Sequence, residues 1–222
     1  MARRVLVIGN KNYSSWSLRP WLALRMGGVE FEEVRIPLYR EDSKAAILRY
    51  SPSGKVPIWI EDGVTVWESL AICERAAERA PGAGLWPADP AARAHARAIS
   101  AEMHAGFSAL RNAMPMNLRA AGARIAVGPE VRADVERIVA IWEDCRARFG
   151  AGGPFLFGAF TNADAMYAPV VTRFHSYGVS LPLAAQVYAD AVRALPAMQE
   201  WAAAGVAEAE RIEETDRVAR GA

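Results

Sequence analysis

Short apolar runs alternate with helical patterns over the first 80 residues of the chain. Runs of four or five apolar residues predict buried strands, and apolar residues at helical spacing predict amphipathic helices. Asp62-Gly63, between two such runs, is typical of a hairpin turn. The pattern therefore predicts the order β-α-β-α-β-β-α, with strands near 5–8, 31–38, 56–60 and 64–67 and helices near 17–26, 42–49 and 68–79.

The spacing of apolar residues is helical over most of the remaining chain, after a connector rich in glycine and proline. Asp89 followed by Pro90 is typical of a helix start, and Pro115 should end that helix. Thr161 and Asp164 have the spacing of a capping box. We expect an all-α second half, with helices near 90–114, 130–148, from 161 onwards, 181–188 and 192–204, and a charged, frayed tail after Glu208.

Composition and charge indicate an ordinary soluble globular protein. The 222 residues are 52% hydrophobic and 23% charged, which leaves room for one large or two small domains. The formal net charge of +1 gives no reason to expect nucleic acid or an anionic membrane surface as a partner. The first apolar run is too short for a signal peptide, and none reaches the ~18 residues of a membrane span. We expect a cytoplasmic protein without a membrane partner.

The two cysteines and three histidines do not have the spacing of a metal site. Cys73 and Cys145 lie far apart in helical patterns, and His95, His104 and His175 are scattered. Free buried thiols are the expected state of the cysteines, in keeping with a reducing compartment. We expect no metal ion.

Three serines lie where the first strand turns into the first helix: Ser14, Ser15 and Ser17. The first N–H groups of a helix are unpaired, and the helix dipole favours negative charge there. A hydroxyl at this point can donate a hydrogen bond to an anion such as a thiolate. The simpler interpretation of this stretch alone is that one of the serines caps the helix.

Pro57 begins an apolar run that otherwise reads as an ordinary strand. Proline has no N–H for a sheet, so it belongs at an edge, a strand start or a bulge. A cis Val56–Pro57 bond would turn the backbone of Val56 outward, free to pair with an extended peptide ligand. A trans proline at a strand edge is the alternative.

Four segments of the chain form a recognisable set, namely residues 14–19, Gly54-Lys55-Val56-Pro57, Trp67-Glu68-Ser69-Leu70-Ala71-Ile72 and Thr161-Asn162-Ala163-Asp164. In this order and spacing they resemble those of the cytosolic glutathione S-transferases, over nearly the whole chain. The serine turn is most similar to that of the zeta, maleylacetoacetate isomerase-like class, which has a cysteine where this chain has Trp16.

The resemblance implies a fold and a domain division. The fold is an α/β N-terminal thioredoxin-like domain followed by an all-α C-terminal helical domain, as in other glutathione S-transferases. Residues 1–81 would form the glutathione-binding domain, 82–88 the linker and 89–222 the helical domain. Members of the family are usually homodimers, so a homodimer is expected here.

The resemblance also implies a glutathione site. Glu68 would pair with the γ-glutamyl ammonium and Ser69 with its carboxylate, at a helix N-terminus. Val56, presented by Pro57, would pair with the cysteine of glutathione, and Lys55 would reach the glycine carboxylate. The alternatives are a plain helix start at Glu68-Ser69 and a solvated lysine.

The same resemblance assigns thiol activation to Ser14, with Ser15 and Ser17 in reserve and Ser17 the better candidate for a helix cap. A free thiol has a pKa of ~8.5, and lowering it by about two units needs about 2.7 kcal/mol. A hydroxyl hydrogen bond at a helix end can supply this. Because Trp16 replaces the cysteine, we do not expect thiol exchange through a protein thiol at this position.

The second substrate would bind between the domains, against residues from the first C-terminal helix. His104 and Arg111 are seven residues apart, so both are expected on approximately one face of that helix. Arg111 would bind a substrate carboxylate or make a surface salt bridge. The pocket residues expected are Trp16, Met103, His104, Phe107 and Arg111.

These observations leave three functions open. The first is a glutathione S-transferase that attacks a small electrophile with the glutathione thiolate. The second is a glutathione-dependent cis–trans isomerase of maleyl-type acids. The third is a non-catalytic binding module that keeps the fold, because fold does not determine function.

Overall fold

A computed structural model describes residues 3–123 and 125–220. The outer ends of the two expected domains, residues 1–2 and 221–222, lie outside the described residues, and the domain limits stay predictions. The strands are β1 Arg4–Ile8, β2 Glu32–Arg35, β3 Ile58–Glu61 and β4 Val64–Trp67. The helices are α1 Ser15–Met26, α2 Ser43–Leu48, α3 Ser69–Arg79, α4 Pro90–Ala105, α5 Ser108–Ala113, α6 Pro129–Phe149, α7 Asn162–Ser176, α8 Leu183–Ala194, α9 Pro196–Ala207 and α10 Glu213–Ala219, with a 3-10 turn at Pro81–Ala83.

The first half forms the expected β-α-β-α-β-β-α unit around a four-stranded mixed sheet. The strand order is β2-β1-β3-β4, in which β1 pairs parallel with β2 and antiparallel with β3. Successive residues of a strand face opposite sides of a sheet. Leu6 and Ile8 accordingly face the main core with α1 and α3, whereas Val5 and Val7 pack against Ile47 of α2.

Helix α1 connects the two halves, because it packs against both α3 and α7. Nearly every residue of α7 is buried, so this helix forms the centre of the helical half. The capping box at its start is confirmed, with the Asp164 carboxylate accepting the Thr161 N–H at 2.7 Å. Burial raises the pKa of Asp164 to about 6.

The helix expected over residues 90–114 is wrong as one element. Gly106 ends α4, and Phe107 adopts a left-handed conformation with φ 60°. A new helix then starts, and the Asp134 carboxylate of α6 accepts its Leu110 N–H at 2.9 Å. The break arises because glycine weakens a helix and a neighbouring carboxylate satisfies the N–H that the break exposes.

Two boundaries near the end of the chain also differ from expectation. α8 and α9 meet at Leu195, before Pro196, rather than near residue 190. The tail after Glu208 is not frayed, since it forms α10 and buries Asp216. The charged sequence did not predict this helix, because the buried partners of the Asp216 carboxylate lie far away in the chain.

Both cysteines are free and buried, as expected, and burial raises the pKa of each thiol to about 12. Within residues 3–123 and 125–220, His, Cys, Asp and Glu side chains form no group of three that could hold a metal ion. Among the helices of the same residues, none has the length and apolar character needed to cross a membrane.

Candidate functional site

The serine turn follows β1 and begins α1 two residues earlier than expected. Ser14 is the N-cap, and its Oγ accepts the N–H of Ser17 at 3.3 Å. The prediction that Ser17 caps the helix is therefore wrong. Ser17 lies inside the first turn because the backbone already becomes helical at Ser15.

A hydrogen-bond chain fixes the hydroxyl of Ser14. The N–H of Gly9 donates to Ser17 Oγ at 3.1 Å, and Ser17 Oγ lies 2.7 Å from Ser14 Oγ. Ser17 has no exposed surface, and a buried hydroxyl hydrogen without an acceptor is costly. We therefore assign Ser17 as the donor to Ser14, which leaves the hydrogen of Ser14 free for a ligand.

Ser15 is also held by a donor. Its Oγ lies 3.0 Å from Nη2 of Arg173, in α7. A guanidinium donates hydrogen bonds and cannot accept them, so the Ser15 oxygen is the acceptor. Within the described part of the chain, the Ser15 hydroxyl donates no hydrogen bond. Two adjacent hydroxyl hydrogens are thus available at the start of α1.

Trp16 brings together residues from three helices. The His104 ring lies edge-on to its indole at a centroid separation of 5.4 Å. The guanidinium carbons of Arg19 and Arg111 lie 4.3 Å and 5.3 Å from the Trp16 ring centroid. The structure therefore gathers Trp16, His104 and Arg111, as the pocket prediction requires.

His104 and Arg111 lie close together, but they do not share one face of a single helix as predicted. They lie on α4 and α5, on either side of the break at Phe107, whose own side chain is buried. Met103 does not join the pocket surface, because it is fully buried in the core. Its carbonyl accepts a hydrogen bond from Arg111 at 3.2 Å.

Positive charge accumulates around the start of α1. Arg19 and Arg173 are buried and Arg111 is half-buried, and none pairs with a carboxylate within 4.0 Å in the described residues. Burial, followed by repulsion from the other two arginines, lowers the pKa of Arg19 to about 9. Burial likewise lowers the pKa of Arg173 to about 10. Such a region favours a bound anion.

The start of α3 carries the predicted γ-glutamyl residues. Glu68 is the exposed N-cap of α3 and has φ 74°, which is uncommon for a residue with a side chain. Ser69 is fully buried, and its Oγ has no hydrogen-bond partner among the residues that the structure describes. His104 Nε2 lies 3.7 Å from Glu68 Oε2, which connects this helix start to the Trp16 cluster.

Strand register places the third predicted segment beside the other two. Ile58 pairs with Val7 of β1 and with Trp67 of β4, so Pro57 lies at the sheet end from which the serine turn and Glu68 emerge. The Val56–Pro57 bond is cis, which confirms that alternative. Within residues 3–123 and 125–220, the Val56 backbone has no hydrogen bond, and Lys55 is exposed.

Sequence reasoning missed the roles of Arg19 and Arg173. Both lie in helices whose other residues are mostly apolar and buried. An arginine between apolar neighbours, such as Arg19 between Leu18 and Pro20, is the signal that points to a buried charge.

Two family models match the chain. The glutathione S-transferase N-terminal domain matches residues 13–79, and the C-terminal domain of the same family matches residues 93–204. The chain belongs to the glutathione S-transferase family. The sheet, the helical half and the order of the elements are those of this glutathione S-transferase fold.

Curated relatives of this glutathione S-transferase-family chain include a probable maleylacetoacetate isomerase of Caenorhabditis elegans. It is 39% identical over 105 residues, 47% of this chain and 49% of the relative. The maleylacetoacetate isomerase of Pseudomonas aeruginosa is 32% identical over 109 residues, 47% of this chain and 51% of the relative. The chain spans about half the length of the curated relatives it matches.

Solved structures match over much more of the chain. A sphingomonad glutathione S-transferase complexed with glutathione is 25% identical, with a TM-score of 0.65, over 92% of this chain and 100% of that one. A glutathione transferase homologue from Burkholderia with bound glutathione has a TM-score of 0.68 at 21% identity, over 92% and 98% of the two chains.

Proposed function

We propose that this chain binds glutathione and activates its thiol as a thiolate that attacks a small electrophile. The observation that carries the proposal is the start of α1, where the hydroxyls of Ser14 and Ser15 each lie within hydrogen-bond distance of a donor, Ser17 Oγ at 2.7 Å and Arg173 Nη2 at 3.0 Å. With Ser17 assigned as the donor to Ser14, both hydroxyls keep a hydrogen for a ligand. Family membership supports glutathione as the ligand.

Glutathione binding is assigned to the three segments at one end of the sheet. The Glu68 carboxylate pairs with the γ-glutamyl ammonium. Ser69, buried at a helix N-terminus and without a partner among the described residues, binds the γ-glutamyl carboxylate. The free N–H and C=O of Val56, beside Pro57, pair with the cysteine backbone as an added strand would. Lys55 is assigned to the glycine carboxylate.

Thiol activation then needs only modest stabilisation of negative charge. The Ser14 hydroxyl donates to the sulfur, and the α1 dipole and the nearby arginines favour the thiolate. The thiol proton leaves to solvent, and a sulfur lone pair forms a bond to the electrophilic carbon. A leaving group departs from that carbon with its bonding electrons, or the electrons of a double bond move to the neighbouring atom, which then takes a proton from solvent. Trp16, His104 and Arg111 line the electrophile side.

A second candidate is the glutathione-dependent isomerisation of maleyl-type acids. Arg111, half-buried and without a carboxylate partner in the described residues, suits a substrate carboxylate. The names of the curated relatives point the same way. The thiolate would add to the double bond, the resulting single bond would rotate, and the thiolate would leave again.

A thiolate titration of bound glutathione tests the proposal. Ultraviolet difference absorbance against pH gives the thiol pKa in the wild type, in Ser14→Ala and in Ser100→Ala, a buried serine whose hydroxyl donates within α4. We expect a thiol pKa below ~8.5 that only Ser14→Ala raises. If bound glutathione has an ordinary thiol pKa, the proposal is wrong and the non-catalytic binding module becomes the favoured function.

The electrophile is tested separately. Maleyl-type acids assayed with the wild type and with Arg111→Met distinguish the two reactions, since loss of the carboxylate partner should raise KM for acids and not for neutral electrophiles. We also propose a cytoplasmic homodimer, supported by family membership and by the two free thiols. Sedimentation equilibrium measures its mass.

A further inference from the structure

Arg173 is a buried cation that reaches from the helical half of the protein to the serine turn. Its Nη1 donates to the carbonyl of Met114 and, at 3.3 Å, to that of Arg111. Its Nη2 donates to Ser15 Oγ at 3.0 Å. The guanidinium is therefore fixed on two carbonyls at the C-terminal end of α5, and its further hydrogen bond within the described residues is to the hydroxyl of Ser15.

We propose that Arg173 is a positioning residue, which holds the oxygen of Ser15 so that the Ser15 hydrogen points to the sulfur of bound glutathione. This inference rests on the proposed function, since it concerns the same thiolate. Ser15 becomes a second donor to the sulfur beside Ser14, and the two are held in different ways. Ser14 is held within its own helix by Ser17, and Ser15 is held from α7.

The direction of the hydrogen bond follows from the chemistry of the pair. A guanidinium has five N–H groups and no acceptor. The Ser15 oxygen therefore accepts the hydrogen bond with a lone pair, and the Ser15 hydrogen stays available. The donor is charged, which draws electron density from the Ser15 oxygen and makes its O–H a better donor to an anion. A neutral donor at this position would orient the hydroxyl without that polarisation.

Other charged groups face the start of α1 and also change the thiol pKa of bound glutathione. The test therefore has to separate effects through space from the effect of Arg173 through Ser15. Arg19 comes from α1, Arg111 from α5, His104 from α4 and Glu68 from the start of α3. Each changes the potential at the sulfur through space. Such a contribution persists when the Ser15 hydroxyl is removed, whereas a contribution through Ser15 disappears with it.

The test is a double-mutant cycle read out as the thiol pKa of bound glutathione. The variants are Arg173→Met, Arg173→Lys, Ser15→Ala and Ser15→Ala combined with Arg173→Met. Arg146→Gln is the matched control, because Arg146 also donates to several carbonyls, those of Gly150, Gly153 and Phe155, away from the serine turn. Thermal unfolding of each variant establishes that it is folded.

We expect Arg173→Met to raise the thiol pKa by about one unit, the size of one charge-assisted hydrogen bond. Arg173→Lys should raise the thiol pKa by less than Arg173→Met does. Arg146→Gln should leave the thiol pKa unchanged. In the Ser15→Ala background, Arg173→Met should have no further effect. If Arg173→Met fails to fold, Arg173→Lys with and without Ser15→Ala gives the same comparison, with a smaller shift that must also vanish.

Three results would overturn the inference while leaving the proposed function intact: an unchanged pKa in the Arg173 variants, an unchanged pKa in Ser15→Ala, or an equal Arg173 effect with and without the Ser15 hydroxyl. The last would mean that Arg173 acts through space. A wild-type protein that does not lower the thiol pKa contradicts the proposed function itself, and is recognised before any variant is compared.

Discussion

The hydroxyl of Tyr13 donates a hydrogen bond of 2.9 Å to the carboxylate of Asp216, in the last helix of the chain. The Asn117 side chain donates to the same oxygen, also at 2.9 Å. Tyr13 in turn accepts the N–H of Ile212 at 3.2 Å. The residue directly before Ser14 is thus bound to the C-terminal segment, which therefore helps to fix the serine turn.

Replacing Asp216 should destabilise the protein. Asp216→Ala removes the acceptor from two buried donors, and each unsatisfied donor costs about 1–3 kcal/mol. We expect the free energy of unfolding in urea to fall by at least about 2 kcal/mol. Glu214→Ala, at an exposed position of the same helix, is the control and should change it little. Equal stabilities of the two variants would show that the Asp216 contacts contribute nothing.

Gly205 should be intolerant of a side chain, because it lies against the backbone of the serine turn. A Cβ at this position would lie 3.0 Å from the Asn12 nitrogen and from the Lys11 carbonyl carbon. Gly205→Ala should displace the turn and raise KM for glutathione several-fold in a protein that still folds. Ala203→Gly, on the exposed face of α9, changes helix propensity alone and should leave KM unchanged. An unaltered KM in Gly205→Ala would mean that the turn adjusts freely.

Replacing Ser69 should weaken glutathione binding without lowering the stability of the protein. Its buried hydroxyl has no partner in the described part of the chain, so Ser69→Ala should leave the free energy of unfolding unchanged or slightly higher. Its proposed partner is a carboxylate, so the Kd for glutathione should rise roughly tenfold in calorimetric titration. Ser176→Ala, which loses a hydrogen bond to Asn117, should show the reverse pattern. A stability loss with an unchanged Kd would exclude the ligand role of Ser69.

His104 should make stability depend on pH. Burial, the largest influence, lowers the pKa of His104 below its ordinary 6.5. Between that lowered pKa and 6.5 the unfolded chain binds more protons than the folded one, so stability rises with pH through this window and is lost as pH falls through it. The difference in unfolding free energy between wild type and His104→Gln should therefore become less favourable to the wild type from pH ~7.5 to ~5. A difference that is constant with pH would contradict the prediction.

The parts of the molecule that sequence predicted are those set by local pattern. The order of strands and helices, the hairpin at Asp62-Gly63 and the capping box at Asp164 each follow from residues close together in the chain. The three segments of the proposed glutathione site also converge, because the strands that precede or follow them pair.

The parts that sequence missed depend on partners far away in the chain. Helix α10 is stable because Asp216 finds donors about 100 and 200 residues earlier, which no local window contains. The buried charge of Arg173 was missed for the same reason, since its contacts are 59 to 158 residues away. The break at Phe107 depends on a carboxylate in another helix.

The break at the left-handed residue Phe107 separates the short helix α5 from the core helix α4. α4 and α7 belong to the core, where a change of side-chain volume is costly. α5 has six residues, buries Leu110 alone completely, and places Arg111 over Trp16. Replacements along this short helix sacrifice little packing, so descendants of this chain can change the surface around Trp16 and Arg111 while the sheet remains as it is.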